Sequence, residues 1–213
     1  MVLAQKTGRG GMNRALRIAG DLSHLPDSGS GPHSIAWWGN IGFMAIEGFA
    51  FLLAGGCYLY LMLASPVWPP SHAAPPDLFW GALFTCVLLL SELPNRWLIR
   101  KAKEKDRRSV RIGVVVMTLI GLALFGPRVA EFDHLNIRWD QNAYGSVLWM
   151  LLLHSTHLLT DWFDTLVLAV LLHSHEVGDR QLADVRDNAL YWRFVELSWL
   201  PIYALVYWAP RLA

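Results

Sequence analysis

Eight ionisable side chains lie inside stretches that are otherwise almost wholly apolar: Glu47, Glu92, His154, His157, Asp161, Asp164, Arg193 and Glu196. An acid or base at the centre of a membrane span costs roughly 2.5–3.5 kcal/mol on insertion scales. Each of these residues therefore needs a partner or a route to water. His154, His157, Asp161 and Asp164 are spaced 3, 4 and 3, which draws one stripe along one face of a helix. That stripe is about 15 Å long, half of a hydrocarbon core about 30 Å thick. Two chemistries suit the set. One is a polar network that fixes helix register, with Arg193 paired to Glu196 one turn on. The other is proton exchange at a buried carboxylic acid, for which Glu47 is the candidate. The residues alone leave both open.

The elements that must position these groups follow from composition. The chain has 213 residues, 54% hydrophobic and only 16% charged, with 11 tryptophans. A soluble domain is about 25% charged, and a core of this size cannot hide so much apolar surface. The class is an integral membrane protein, which excludes disorder, a collagen repeat and a disulfide scaffold. The 18 basic and 17 acidic residues nearly cancel, and no basic patch alternates with aromatics, so nucleic acid is not a partner. Cys57 and Cys86 lie in apolar runs without a ligand partner at metal spacing and are expected to be packing residues. A bis-histidine haem would need a histidine on a second span, and only the fourth span carries any, so no metal site is expected.

Apolar segments run at about 35–64, 78–99, 111–126, 143–172 and 189–209. Continuous runs of this length indicate helices rather than barrel strands. The fold expected is all-α and polytopic, with five transmembrane helices. The connection from Arg100 to Arg111 is strongly basic, whereas Ser65 to Asp77 has five prolines and no Lys or Arg. The third connection is read as carrying Arg128 and Arg138 against Glu131, Asp133 and Asp140. The positive-inside rule then puts the N-terminus inside and the C-terminus outside. Residues 1–34 form a polar tail with Lys6, Arg9, Arg14 and Arg17, expected to be cytoplasmic and not to act as a cleaved signal. Residues 35–213 form the membrane domain. In this topology Glu47, Glu92, Asp161, Asp164, Arg193 and Glu196 share the cytoplasmic half, with Arg193 and Glu196 within about two turns of the start of the last span. There is no inverted or tandem repeat of the kind transporters carry.

Several stretches resemble one family. Trp37-Trp38-Gly39 through Phe43, Ile46-Glu47 and Phe51 to Tyr58 is similar to the glutamate-bearing helix of cytochrome c oxidase subunit III, and Trp68-Pro69-Pro70 to the segment after that helix. Tyr144-Gly145-Ser146 with His154-x-x-His157 resembles its penultimate helix. The ending Tyr191-Trp192-Arg193-Phe194-Val195-Glu196-Leu197-Ser198-Trp199 resembles its last helix. Ser155 stands for the family's glycine, Asp161 for a small residue, Arg193 for a histidine and Glu196 for an aspartate. The five-helix count resembles the shorter bacterial members. The resemblance implies an accessory, non-catalytic subunit of a haem–copper oxidase in the bacterial cytoplasmic membrane. It implies no cofactor in this chain, haem and copper in the catalytic subunit I, contacts with that and other oxidase subunits, and bound phospholipid. The family's role would be to flank subunit I, hold lipid between helices and support proton uptake during aerobic electron transport. Glu47 would correspond to the family's carbodiimide-reactive carboxylate, and Trp37, Trp38 and Trp192 are the candidates for lipid headgroups. A quinol oxidase or nitric oxide reductase cluster, a transporter of protons or small solutes, and an assembly factor are the alternatives.

Overall fold

A computed structural model describes residues 34–70 and 73–212. The polar tail expected over residues 1–34 therefore lies, apart from Ser34, outside the described residues. The order is α1 (Ile35–Ala64), α2 (Leu78–Lys103), α3 (Arg107–Asp133), α4 (Ala143–Leu152), α5 (His154–Ser174) and α6 (Asp179–Tyr203), then a π-helical turn (Ala204–Trp208) and α7 (Ala209–Leu212). The described residues include no strand. Ile35–Ala64, Leu78–Lys103, Arg107–Asp133 and Ala143–Ser174 are long and apolar enough to cross a membrane. α6 carries Asp179, Arg180, Asp184, Arg186 and Asp187 in its first three turns, and its composition alone does not mark it as a span.

Local chemistry explains the boundaries. Ser34 caps α1, its hydroxyl accepting from the Trp37 amide at 3.1 Å. α2 ends in Arg100, Lys101 and Lys103, cations that suit the negative end of a helix dipole. Lys105 then takes a left-handed conformation (φ 57). The amides of Lys105 and Asp106 bond back to Ala102 and Lys101, closing the helix with the paired bonds typical of such a cap. Asp106 at once caps α3 by accepting from the Ser109 amide at 3.2 Å. Ser109, through its hydroxyl and its amide, holds the Asp106 carboxyl below its ordinary range.

Three expectations about the spans change. The third does not stop at 126: α3 runs through Gly126 and Pro127 to Asp133. Arg128 and Glu131 are thus helical and buried rather than loop residues. The fourth is interrupted at Leu153, where the hydroxyls of Ser155 and Thr156 bond to the carbonyls of Leu152 and Leu153, a back-bonding pattern that bends helices. The fifth begins at Asp179, so Arg193 lies fourteen residues in, about 21 Å from the helix start instead of two turns.

α6 is the hub, packing on α1, α2 and α5, while α2 and α5 both pack on α3 and α1 packs on α4. One end of the bundle gathers the start of α1, the α2–α3 turn and the α5–α6 junction. There Lys105 pairs with Asp179 at 2.9 Å, Arg111 bonds to the His175 carbonyl and Asn40 to the Asp187 carbonyl. At the other end Asn136 bonds to the Pro75 carbonyl and Arg211 to that of Pro76. The outer faces are apolar, with Ile46, Leu52, Leu63, Phe79, Leu90, Leu93 and Leu119 among many large exposed side chains. Such a surface is far larger than soluble monomers expose. Cys57 and Cys86 belong to this outer surface, not to the interior.

The chain leading into α4 lies directly on its first turn. A Cβ at Gly145 would sit 2.3 Å from the Arg138 carbonyl oxygen, a backbone atom with no rotamer to yield. Gly145→Ala is expected to lose about 1–3 kcal/mol, read as a lower midpoint in denaturant unfolding of the purified protein.

Candidate functional site

The buried polar residues form three groups. The first joins α1 to α5 and α6. Glu47, 7% exposed, uses Oε1 to meet His157 Nδ1 at 2.7 Å and Oε2 to accept from the Tyr191 hydroxyl at 2.7 Å. Its partners lie 110 and 144 residues away in sequence. The Phe51 ring stands edge-on to His157 at 5.0 Å. A carboxylate and an imidazole at this distance can hold a proton between them, and Tyr191 supplies a further O–H to the same acid.

The stripe continues toward the basic end. Asn188 of α6 donates to Asp161 Oδ1 at 3.1 Å and Asp164 Oδ2 at 3.2 Å, and its carbonyl accepts from Thr165. His154 takes another course. It is fully buried, with Nε2 donating to the Val195 carbonyl at 2.8 Å and its ring packed between Phe51 and Trp199. Among the described residues no group of His, Cys, Asp and Glu is arranged to hold a metal ion.

The second group lies between α2 and α6, and it corrects the pairing expected of Arg193. That guanidinium bonds to Glu92 Oε1, with Nη2 at 2.7 Å, not to Glu196. Arg96 bonds to the same oxygen at 2.7 Å, and Asn95 donates both to Glu92 Oε2 and to the Ala189 carbonyl. Glu196 is buried nearby, and its Oε2 has no partner among the described residues.

The third group was missed by sequence reasoning. Arg128, 2% exposed, donates through Nη1 to Glu131 Oε2 at 2.6 Å, and Glu131 also accepts from the Tyr207 hydroxyl. The guanidinium carbon lies 3.7 Å from the Phe84 ring centre and 4.1 Å from that of Trp199, so ring faces as well as a carboxylate hold the charge. Gly81 makes room, since a Cβ there would meet the Tyr207 ring at 2.2 Å. The apolar run stops near residue 126, which placed Arg128 and Glu131 in the connection that follows. The available signal was the Arg128–Glu131 spacing of three, which continues the register of Leu124.

The tryptophans divide. Trp37 and Trp38 contact each other edge to face at 5.0 Å, and Trp38 is 58% exposed at the start of α1. Trp192 is 1% exposed and donates to the Ser91 hydroxyl at 2.8 Å. It pins α6 to α2 and is withdrawn from any headgroup.

Comparison with known proteins matches the sequence of this chain to one family. The sequence model for "Cytochrome c oxidase subunit III" matches residues 59–210. The chain is 23% identical over 199 residues to the cytochrome c oxidase subunit 3 of Synechocystis sp., covering 89% of this chain and 84% of the relative. It is 26% identical over 178 residues to that of Latimeria chalumnae and 27% identical over 184 residues to that of Polypterus ornatipinnis. In both cases 80% of this chain and 68% of the relative are covered.

Proposed function

Because the chain belongs to the cytochrome c oxidase subunit III family, we propose that it is the accessory, non-redox subunit III of a haem–copper respiratory oxidase. It is a multi-pass membrane protein that takes part in respiratory electron transport as a member of that complex. The family match over residues 59–210 carries the reading. Its task is to pack against the catalytic subunit I, which carries haem and copper, and to hold phospholipid in the assembly. The apolar outer faces of α1 and α2 supply surface for both kinds of neighbour. Trp37 and Trp38 are the headgroup contacts at the membrane boundary.

The membrane domain begins at residue 35 and has five spans, with α6 as the fifth. Interior bonding makes α6 tolerable in lipid, since Asn188, Tyr191, Trp192 and Arg193 all bond to neighbouring helices. The basic end, with Arg100, Lys101, Lys103, Lys105, Arg107 and Arg108, faces the cytoplasm of a bacterial cell. The tail lies on that side and the C-terminus on the other. Glu47 is the acid of the assembly that exchanges protons, with His157 as its partner. Glu92, His154, Asp161, Asp164, Arg193 and Glu196 serve as the network that holds helix register around it.

Gentle purification of a tagged chain tests the assignment. It is expected to bring down a haem-bearing subunit in fixed proportion, seen as a Soret band that disappears when the chain is stripped from its partner. A stable chain that never associates with a metal-bearing companion would overturn it.

A further inference from the structure

Two guanidiniums face outward from the membrane domain at a depth where lipid offers them no acceptor. Arg96 of α2 and Arg193 of α6 keep 62% and 37% of their side chains exposed, although both bond to Glu92. Glu92 lies eight residues from Arg100, where the cations of the basic end begin, and fourteen from Leu78. Those separations are about 12 Å and about 21 Å along the helix. α6 runs antiparallel to α2 here: the Ala189 carbonyl meets Asn95, Trp192 meets Ser91 and Trp199 meets Thr85. Arg193 therefore stands level with Glu92. Long cations near a helix end ordinarily reach out toward the headgroups. Arg96 does the opposite, since its Nε bonds at 2.7 Å to Glu92, one turn nearer the middle of the span. Neither terminal nitrogen of Arg96, nor Nη1 of Arg193, has an acceptor among the described residues.

The charges do not cancel within the cluster. Glu196 is in hydrogen-bond contact with Glu92, and two carboxyl groups make that bond only with one proton between them, because ionised carboxylates only accept. Two guanidiniums then stand against one carboxylate charge. Around them the face is apolar: Leu89, Leu93 and Trp97 of α2 and Leu197 and Leu200 of α6 are exposed. Lipid covers this face poorly. An acyl chain has no acceptor, and a lipid phosphate lies at headgroup level, about 12 Å away. A second copy packed face to face would set guanidiniums against guanidiniums. A membrane-spanning helix with an acid at this depth meets both requirements, with apolar side chains for the leucines and a carboxylate for paired bonds from the guanidiniums. We infer that the face around Arg96 and Arg193 is the docking surface for a membrane-spanning helix of another subunit, which presents an Asp or Glu carboxylate to the two guanidiniums. The inference rests on the reading of this chain as one subunit of an oxidase complex, and adds to it the surface and the chemistry of one contact.

A photo-crosslinking amino acid in place of Leu93, and separately in place of Leu197, tests this in the intact complex in its native membrane. Irradiation is expected to join the chain to one partner helix, and peptide mapping should place the adduct beside an Asp or Glu of that helix. Arg96→Gln is the energetic arm: the chain is expected to dissociate from the solubilised complex about thirtyfold faster. The unfolding midpoint of the full-length variant in micelles should match that of the parent, because Arg96 is mostly exposed, and this measurement separates lost docking from lost folding. Should Arg96→Gln prove unstable, the two crosslinking positions decide the question alone. Adducts with lipid only, with a second copy of this chain, or with a helix that has no acid beside the adduct overturn the inference. An unchanged dissociation rate for a folded Arg96→Gln overturns it as well. If the preparation keeps its haem-bearing companion, those results leave the subunit reading standing. Lipid adducts alone, in a chain that purifies without such a companion, remove both.

Discussion

Arg128→Met is expected to destabilise the protein by about 3–5 kcal/mol, the range found when one partner of a buried ion pair is removed. The pair has no access to water: Arg128 and Glu131 are 2% and 1% exposed. Methionine fills much of the space between Phe84 and Trp199, so lost packing contributes little. The loss comes from Glu131, which keeps the Tyr207 hydroxyl as its only donor among the described residues and is left charged without a cation. α2, α3, α6 and the π-helical turn all meet there, so the damage is global, not local. Unfolding in mixed micelles, followed by tryptophan fluorescence, measures it. The control is Arg128→Met combined with Glu131→Gln, which removes both charges and should recover most of the loss. A loss below about 1 kcal/mol for the single change would mean that water reaches the pair.

Glu47→Gln is expected to reduce carbodiimide modification of the chain to background while leaving the oxidase assembled. The amide oxygen can still accept from Tyr191, and the new N–H can donate to His157 Nδ1 if the imidazole carries its proton on Nε2. The three helices therefore remain joined, at a cost of about 1 kcal/mol. What disappears is the acid. Peptide mapping of the labelled complex reads the result directly, and it separates Glu47 from the other buried carboxyls, Glu92, Glu131, Asp161 and Glu196. Label persisting on one of those four would move the reactive acid to that group and withdraw the proposed role of Glu47. His157→Phe provides a second reading, because removing the imidazole leaves the Glu47 carboxyl in place and should leave the label on Glu47.

Much of the fold could be read in advance because hydropathy is summed along the chain. The apolar runs beginning near residues 35, 78, 111 and 143 became helices long enough to span, and the basic turn between the second and third came out as the α2–α3 cap. The stripe of His154, His157, Asp161 and Asp164 was visible because helical periodicity is local. Glu47 stood out as a lone acid in an apolar helix. Misreadings arose where a local rule was applied to a residue whose partner is remote. Arg193 was given Glu196 because a spacing of three can be seen in one dimension, whereas Glu92 lies 101 residues away. The third apolar run stopped near residue 126 because hydropathy falls there, but α3 continues about two more turns to Asp133, and Arg128 is buried against Phe84 of α2 and Trp199 of α6.

The composition of this chain determined by itself that it belongs in a membrane, that it is helical and that a few charged groups must be sheltered, since each of these depends only on residue type and spacing. Which helix shelters which charge was decided by the tertiary structure. The rotation and crossing of each helix select one of several neighbours within reach, so the joining of Glu47 to His157 and Tyr191, of Glu92 to Arg193 and of Arg128 to Glu131 exists only once all the helices are packed together.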